Sequence, residues 1–405
     1  MIKVLVVDDS VVIRMALEKV LSSNENLKIV GFCSNGEDVF EKIELFQPDV
    51  ITLDIEMPKM NGLEVLEKLM NTTPIPVIMV SSLTNEGSIE TIKALELGAI
   101  DVFLKPKAKN TSDIKKGFEG IIEKIFLAAN AKIISSSPPK LIKNILNEKI
   151  IYETKEKQIR NPSYGELNKN KFYSDFKPEI VSIGISTGGP ASLNKIIPKL
   201  PVDFPCSVVI AQHMPPSFTK SLAIRLNQIS QIEVKEIENN EVIKQGMVYI
   251  APSGFQTRIK RKFGQLVFNV EEDFSKEFLF KPCIDVLFSS ISEHYKEKAL
   301  AIVMTGMGND GTKGSEQIKN SGGKVFAQSE ETCVIGSMPK SVVNAGLADE
   351  IYDLDFMIDG IMKFFWIPPR FKDYTQKELV CSFYNKQVSW TRWVNTLIYE
   401  LVPCF

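Results

Sequence analysis

Residues 180–190 read IVSIGISTGGP, an apolar run rich in Ile that ends in a glycine-rich turn, and SLNKIIPKL then follows with helical spacing. An apolar run passing through glycines into a helix is the β-turn-α unit of a parallel sheet. The same order recurs outward from it. EIVSIGIS, CSVVIAQ, GMVYIA, QLVFNV, ALAIVMTG and GKVFAQ are strand-like, and FTKSLAIRLNQI and CIDVLFSSISEHY are helical segments between them. These define an α/β domain over residues 179–365. Upstream, IKVLVV, LKIVGF, DVITL, PVIMVS and AIDVFL alternate with VIRMALEKVL, GEDVFEKIELF, NGLEVLEKLM and SIETIKALELG. That alternation predicts a second parallel sheet, covered on both faces, over residues 1–125. Between the two, residues 126–178 read as a linker. From SSSPPK on it is rich in Lys, Asn and Ser, with a short helix expected near Leu141–Asn147. The tail 366–405, which holds all three tryptophans, forms a C-terminal extension to which the sequence assigns no role.

The bulk properties set limits. The chain has 405 residues, 44% hydrophobic and 24% charged, with a formal net charge of −2. This is the balance of a globular protein and gives no electrostatic case for nucleic acid as a partner. No apolar run reaches the length of a bilayer span and no signal peptide is read, so a cytoplasmic protein without membrane insertion is expected. Six cysteines are scattered without a CxxC pair, which argues against a zinc site or a disulfide framework.

Two sets of polar residues fall at predicted strand ends. In the first domain Asp8 and Asp9 follow the first strand, Asp54 the third, Ser81 ends the fourth and Lys105 the fifth. In a parallel sheet these ends share one edge. A single Asp after a strand is usually a solvated turn residue. Three carboxylates together repel one another unless a cation joins them, and oxygen ligands suit Mg²⁺. A hydroxyl and an ammonium beside them would stabilise a phosphoryl group on Asp54.

In the second domain G-x-S-x-G centres on Ser186, a spacing that binds phosphate as often as it presents a nucleophile. The chain has only two histidines, His213 and His294. His213 ends the strand after Ser186, whereas His294, in SEHYKEK, reads as polar helix surface. Asp310, in MTGMGNDG, ends a further strand; by itself it reads as an ordinary turn. Together they supply a nucleophile, a base and a carboxylate to orient the base. The order Ser, His, Asp differs from that of α/β-hydrolases and of the common serine proteases, which disfavours a generic lipase.

Residues 1–125 resemble the receiver domain of two-component response regulators, a flavodoxin-like fold. The resemblance implies Mg²⁺ held by Asp8, Asp9, Asp54 and the carbonyl of Glu56, phosphorylation of Asp54 by a chemotaxis histidine kinase, and phosphoryl contacts from Ser81 and Lys105. Val102 stands where an aromatic residue is often found three positions before the lysine, with Phe103 beside it, which leaves the route of the activation signal open. ISTGGP, AQHMPPSFT, MTGMGNDG and AQSEETCVIGSMPKSVVNAG resemble, in order, the catalytic domain of the chemotaxis protein-glutamate methylesterases. That implies a doubly wound, mainly parallel α/β serine hydrolase with Ser186, His213 and Asp310 as triad. It also implies oxyanion-hole N–H groups near Thr187 and Met307, and no cofactor for the hydrolase. The implied reaction is hydrolysis of glutamate methyl esters on methyl-accepting chemotaxis receptors, with deamidation of certain receptor glutamines. Gln256 stands where the family commonly carries histidine and Cys283 where serine is usual, at a helix start; neither alters the triad. The competing readings are a receiver-controlled binding module and a hydrolase of another protein ester.

Overall fold

The computed structural model describes residues 1–82, 85–106, 117–118, 120–133, 176–273 and 277–365. The expected helix near Leu141–Asn147 and the tail 366–405 lie outside these.

The first sheet forms from β1 (Ile2–Val7), β2 (Leu27–Cys33), β3 (Val50–Asp54), β4 (Val77–Ser81) and β5 (Asp101–Leu104). Its order is β2-β1-β3-β4-β5, all neighbours parallel, the flavodoxin-like arrangement. The connections are α1 (Val11–Leu21), α2 (Val39–Phe46), α3 (Gly62–Thr72) and α4 (Asn85–Leu97). Strands β3 and β4 are buried along their whole length, as helices on both faces require. Asn61 and Glu64 form a capping box that fixes the start of α3. After β5, α5 (Ile121–Ala129) buries Ile121, Ile125 and Ala128 against Val4, Val6 and Phe118. This helix runs past the boundary that the sequence sets at residue 125, because its last apolar turn belongs to the first core.

The second sheet has seven strands, β6 (Ile180–Ile185), β7 (Ser207–Gln212), β8 (Glu233–Glu236), β9 (Met247–Ile250), β12 (Ala299–Val303), β13 (Lys324–Gln328) and β14 (Glu350–Tyr352). The order is β14-β13-β12-β6-β7-β9-β8 and every pair is parallel. The intervening β10 (Gln256–Lys262) and β11 (Gln265–Glu271) form a separate antiparallel hairpin. The helices are α6 (Gly189–Ile196), α7 (Phe218–Ile229), α8 (Ile284–Tyr295), α9 (Thr312–Asn320), α10 (Ser337–Asn344) and α11 (Met357–Met362). From β6 the chain winds towards β7 on one side and returns as β12 on the other. The carboxyl ends of these three strands therefore flank a topological switch point, where such sheets hold ligands.

The receiver packs onto the second domain through α4 and α7. Arg225 donates to both carboxylate oxygens of Glu96, at 2.6 and 3.1 Å. Lys132 donates its N–H to the Val334 carbonyl and its ammonium to that of Glu330, both at 3.0 Å.

Candidate active site

Ser186 and His213 directly follow β6 and β7, and Asp310 lies in the loop after β12; the three strands are adjacent. The turn after β6 is held by Ser186 N–H donating to the Thr305 carbonyl at 2.9 Å. Gly188 there has φ +78°, and a Cβ on it would meet Val334 Cγ2 at 2.5 Å, so only glycine fits. Gln212 Nε2 donates to the carbonyls of both Ser186 and His213, at 2.9 Å each, fixing the two loops to one another.

The imidazole of His213 lies between its partners, with Nδ1 3.2 Å from Ser186 Oγ and Nε2 2.8 Å from Asp310 Oδ2. With Asp310 ionised, Nε2 carries the ring proton and Nδ1 turns its lone pair to the serine hydroxyl. Asp310 is surrounded by donors. Ile284 N–H reaches Oδ2 at 2.8 Å, Asp285 N–H reaches Oδ1 at 2.9 Å, and the Cys283 thiol lies 3.2 Å from Oδ1. Burial works to raise the Asp310 carboxyl. The hydrogen bond from His213, its charge when the ring is protonated, and the two backbone N–H groups outweigh it and hold the group below the ordinary carboxylate value. Asp285 in turn accepts from Gly311 N–H at 2.9 Å and Gly314 N–H at 2.7 Å. Asp310 thus caps α8, which carries Asp285, and Asp285 caps α9, which follows Asp310.

Beside the serine, the N–H groups of Thr187 and Met307 meet no intramolecular acceptor among the described residues. The Thr305 hydroxyl donates to the Thr187 carbonyl at 3.0 Å and accepts Ile335 N–H at 3.1 Å, which steadies both loops. The cleft in front of Ser186, His213 and Met307 is also walled by the receiver residues Asp101, Lys124 and Phe126.

At the edge of the first sheet, Asp8, Asp9 and Asp54 each bring a carboxylate oxygen within 4.8 Å of the others. Lys105 Nζ lies 2.6 Å from Asp54 Oδ2 and 3.0 Å from Asp8 Oδ2. Beyond that ion pair, the buried Asp8 oxygen accepts no hydrogen bond. A buried acid oxygen that accepts no hydrogen bond, set amid carboxylates, is the donor chemistry that a hard divalent cation meets. Burial, then the charge of Asp8, pushes Asp54 up to about 6 despite Lys105. Ser81 accepts from Thr91 Oγ1 at 3.3 Å, and its carbonyl takes Lys105 N–H at 2.8 Å. Glu56 and Asp9 line one hollow beside them.

The CheB methylesterase family model matches residues 181–361, and that of the response regulator receiver domain matches residues 4–115. A protein-glutamate methylesterase/protein-glutamine glutaminase of Bacillus licheniformis is 42% identical over 365 residues, covering 90% of this chain and 98% of that one. The chain belongs to the CheB methylesterase family. A Thermotoga maritima protein of the same name is 42% identical over 350 residues, 86% of this chain and 94% of that one. The crystal structure of the Thermotoga maritima CheB methylesterase catalytic domain is 44% identical, with TM-score 0.45, and covers 46% of this chain and 98% of its own. That of the response regulator domain of Thermotoga maritima CheB is 45% identical, with TM-score 0.31, covering 33% and 98%. As a CheB methylesterase the chain is a hydrolase joined to a receiver domain.

Several contacts in this CheB methylesterase are not foreshadowed by its motifs. The Phe280 ring stacks on His213, centroids 4.0 Å apart and planes 12° from parallel. Gln256 Oε1 accepts Cys283 N–H at 2.9 Å. Burial drives the Cys283 thiol up to about 12, so it is a donor to Asp310 and no nucleophile. His294 Nε2 contacts the Ile259 carbonyl at 3.0 Å, tying α8 to the hairpin. Val102 is buried in the core around β3 and α3, whereas its neighbour Phe103 stacks on Phe118 on the other face.

Proposed function

We propose that this protein hydrolyses glutamate methyl esters on methyl-accepting chemotaxis receptors, and deamidates certain receptor glutamines by the same chemistry. The observation that carries the reading is the unbroken chain Ser186 Oγ, His213 Nδ1, His213 Nε2, Asp310 Oδ2, with separations of 3.2 and 2.8 Å at its two hydrogen-bonded contacts. Ser186 Oγ forms a bond to the ester carbonyl carbon as His213 Nδ1 takes its proton. The tetrahedral oxyanion falls to the N–H groups of Thr187 and Met307. His213 then passes the proton to the leaving methoxide oxygen, and methanol departs. A water molecule, deprotonated by His213, attacks the acyl-Ser186; the free glutamate leaves and the serine regains its proton. Asp310 keeps its proton acceptor role towards Nε2 throughout and stabilises the imidazolium.

The receiver would govern this reaction. Asp54 accepts a phosphoryl group from a histidine kinase, with Lys105 and Ser81 against its oxygens. Asp8, Asp9 and Asp54 with the Glu56 carbonyl would hold Mg²⁺, which when bound neutralises charge on the phosphoryl oxygens. The receiver wall across the cleft supports an inhibited resting state that phosphorylation relieves. The reading sets the reaction in the cytoplasm, where kinase and receptor helices meet the protein. No helix among the described residues is long and apolar enough to cross a membrane.

The test is methanol release from methylated receptor membranes, for the wild type and Ser186→Ala, with and without a small phosphodonor and Mg²⁺. Release by the wild type alone, raised by the donor, is expected. Release that survives Ser186→Ala would refute the triad.

A further inference from the structure

The groups that flank His213 and Asp310 trace back to one side chain outside the triad. Gln256 opens β10 and is only 1% exposed. Its amide is used at both ends: Oε1 accepts Cys283 N–H at 2.9 Å and Nε2 donates to the Phe280 carbonyl at 3.0 Å, with Asp273 Oδ2 at 3.4 Å. Gly254 N–H adds a bond to the Lys281 carbonyl at 2.9 Å. The turn 280–283 is therefore fastened on one side at its first, second and last residues. Its other side faces the reaction machinery. One end carries the Phe280 ring, stacked on the imidazole. The other end delivers the Cys283 thiol and the N–H groups of Ile284 and Asp285 to Asp310.

We propose that Gln256 is a positioning residue for the hydrolysis, setting the ring plane of His213 through Phe280 and the aim of Asp310 through residues 283–285. The proposal rests on the triad reading above. A carbonyl and an N–H three residues apart in one turn call for a side chain that is acceptor and donor at once. A carboxylate offers only acceptors and a thioether neither in strength, whereas a neutral imidazole offers one of each. Because the reacting geometry tolerates little displacement, loosening the turn lowers the chemical step and leaves substrate capture alone.

The test uses the full-length protein with phosphodonor and Mg²⁺ on methylated receptor membranes, read as separate kcat and KM. The same proteins are ¹⁵N-labelled at histidine. With two histidines in the chain, His213 reports the site and His294, bonded to the hairpin carbonyl of Ile259, reports the fold. Gln256→Met is expected to lower kcat on the order of 10- to 100-fold with KM held within about twofold. It should shift the ring nitrogens of His213 while those of His294 stay in place. Gln256→His, which again offers a donor and an acceptor, is expected to recover kcat to within roughly threefold of the wild type. Wild-type kcat with unmoved His213 signals in Gln256→Met overturns the proposal, as does equal displacement of both histidines. If Gln256→Met does not fold, Phe280→Leu keeps the backbone bond to Gln256 and removes only the ring. It must lower kcat and move His213 alone, and no change there overturns the proposal as well. The two readings fail separately. Activity in Ser186→Ala with a responsive His213 would remove the triad and keep the grip; an inactive Ser186→Ala with a silent His213 would do the opposite.

Discussion

Glu96→Gln is expected to raise the esterase activity of the unphosphorylated protein. Glu96 on α4 and Arg225 on α7 form a two-point ion pair between the receiver and the catalytic domain, with side chains 18% and 42% exposed. The exposure of Arg225 screens the attraction, so the pair contributes about 1 kcal/mol, the upper end for a well-aligned surface bridge. Where the receiver's wall keeps substrate from Ser186, removing that contribution moves the open fraction by roughly fivefold. The glutamine keeps the shape of the contact and removes its charge. Methanol release from methylated receptor membranes, measured without phosphodonor, should rise by up to about fivefold, with the phosphodonor-stimulated rate as ceiling. Exchanging the charges, Glu96→Arg with Arg225→Glu, should return the basal rate towards that of the wild type, since the pair re-forms in reverse. An unchanged basal rate in Glu96→Gln, in a protein that phosphodonor still stimulates, would refute the reasoning.

Asp310→Asn should lower kcat by about 10³- to 10⁴-fold, because an amide cannot hold His213 in the working tautomer. The Asp310 carboxyl sits below its ordinary value in the folded protein. Its contribution to stability is therefore complete above the unfolded value of 3.8 and is lost as pH falls through the lower folded one. Thermal midpoints should place Asp310→Asn below the wild type at neutral pH, with the gap closing in acid; a gap that widens in acid would contradict this. Gly306→Ala would put a methyl group 2.6 Å from Ser186 Cβ and 2.3 Å from Met338 Sδ. It is expected to cost about 1–3 kcal/mol of stability by calorimetry and most of the esterase rate. Cys283→Ser should keep activity within about threefold, whereas Cys283→Ala, lacking a donor for Asp310 Oδ1, should lose about five- to tenfold in kcat. Iodoacetamide should not inactivate the wild type, since the thiol is buried and pushed up to about 12.

Val- and Ile-rich runs mark all five strands of the receiver and the central ones of the second sheet, because a strand covered on both faces must be apolar throughout. β8, β10 and β14 carry no such run. EVKE and EIY lie at the two edges of the sheet, and QTRIKRK pairs in a hairpin away from it, so none needs a continuous apolar run. Asp8, Asp54, Lys105, Ser186, His213 and Asp310 were legible because strand ends in a parallel sheet share an edge. Gln212, Thr305 and Phe280 were not. Each acts through a partner far along the chain: Gln212 on the Ser186 carbonyl, Thr305 on that of Thr187, Phe280 on the His213 ring. No local spacing announces such pairs. Gln256 and Cys283 were visible as departures from a family pattern, yet their bonds emerge only when the turn 280–283 is folded against β10.

The mutual capping of α8 and α9 by Asp310 and Asp285 bears on where the entropy of catalysis is spent. A lone carboxylate in water must reorient, with its solvent, each time a neighbouring ring gains charge. Here four backbone N–H groups at the starts of α8 and α9 hold the two acids from both sides, and a cap of this kind contributes about 1 kcal/mol to the helix it opens. Alignment of the acid is thus set when the chain folds, and in the proposed reaction each turnover would begin with the dipoles that the imidazolium needs already in place.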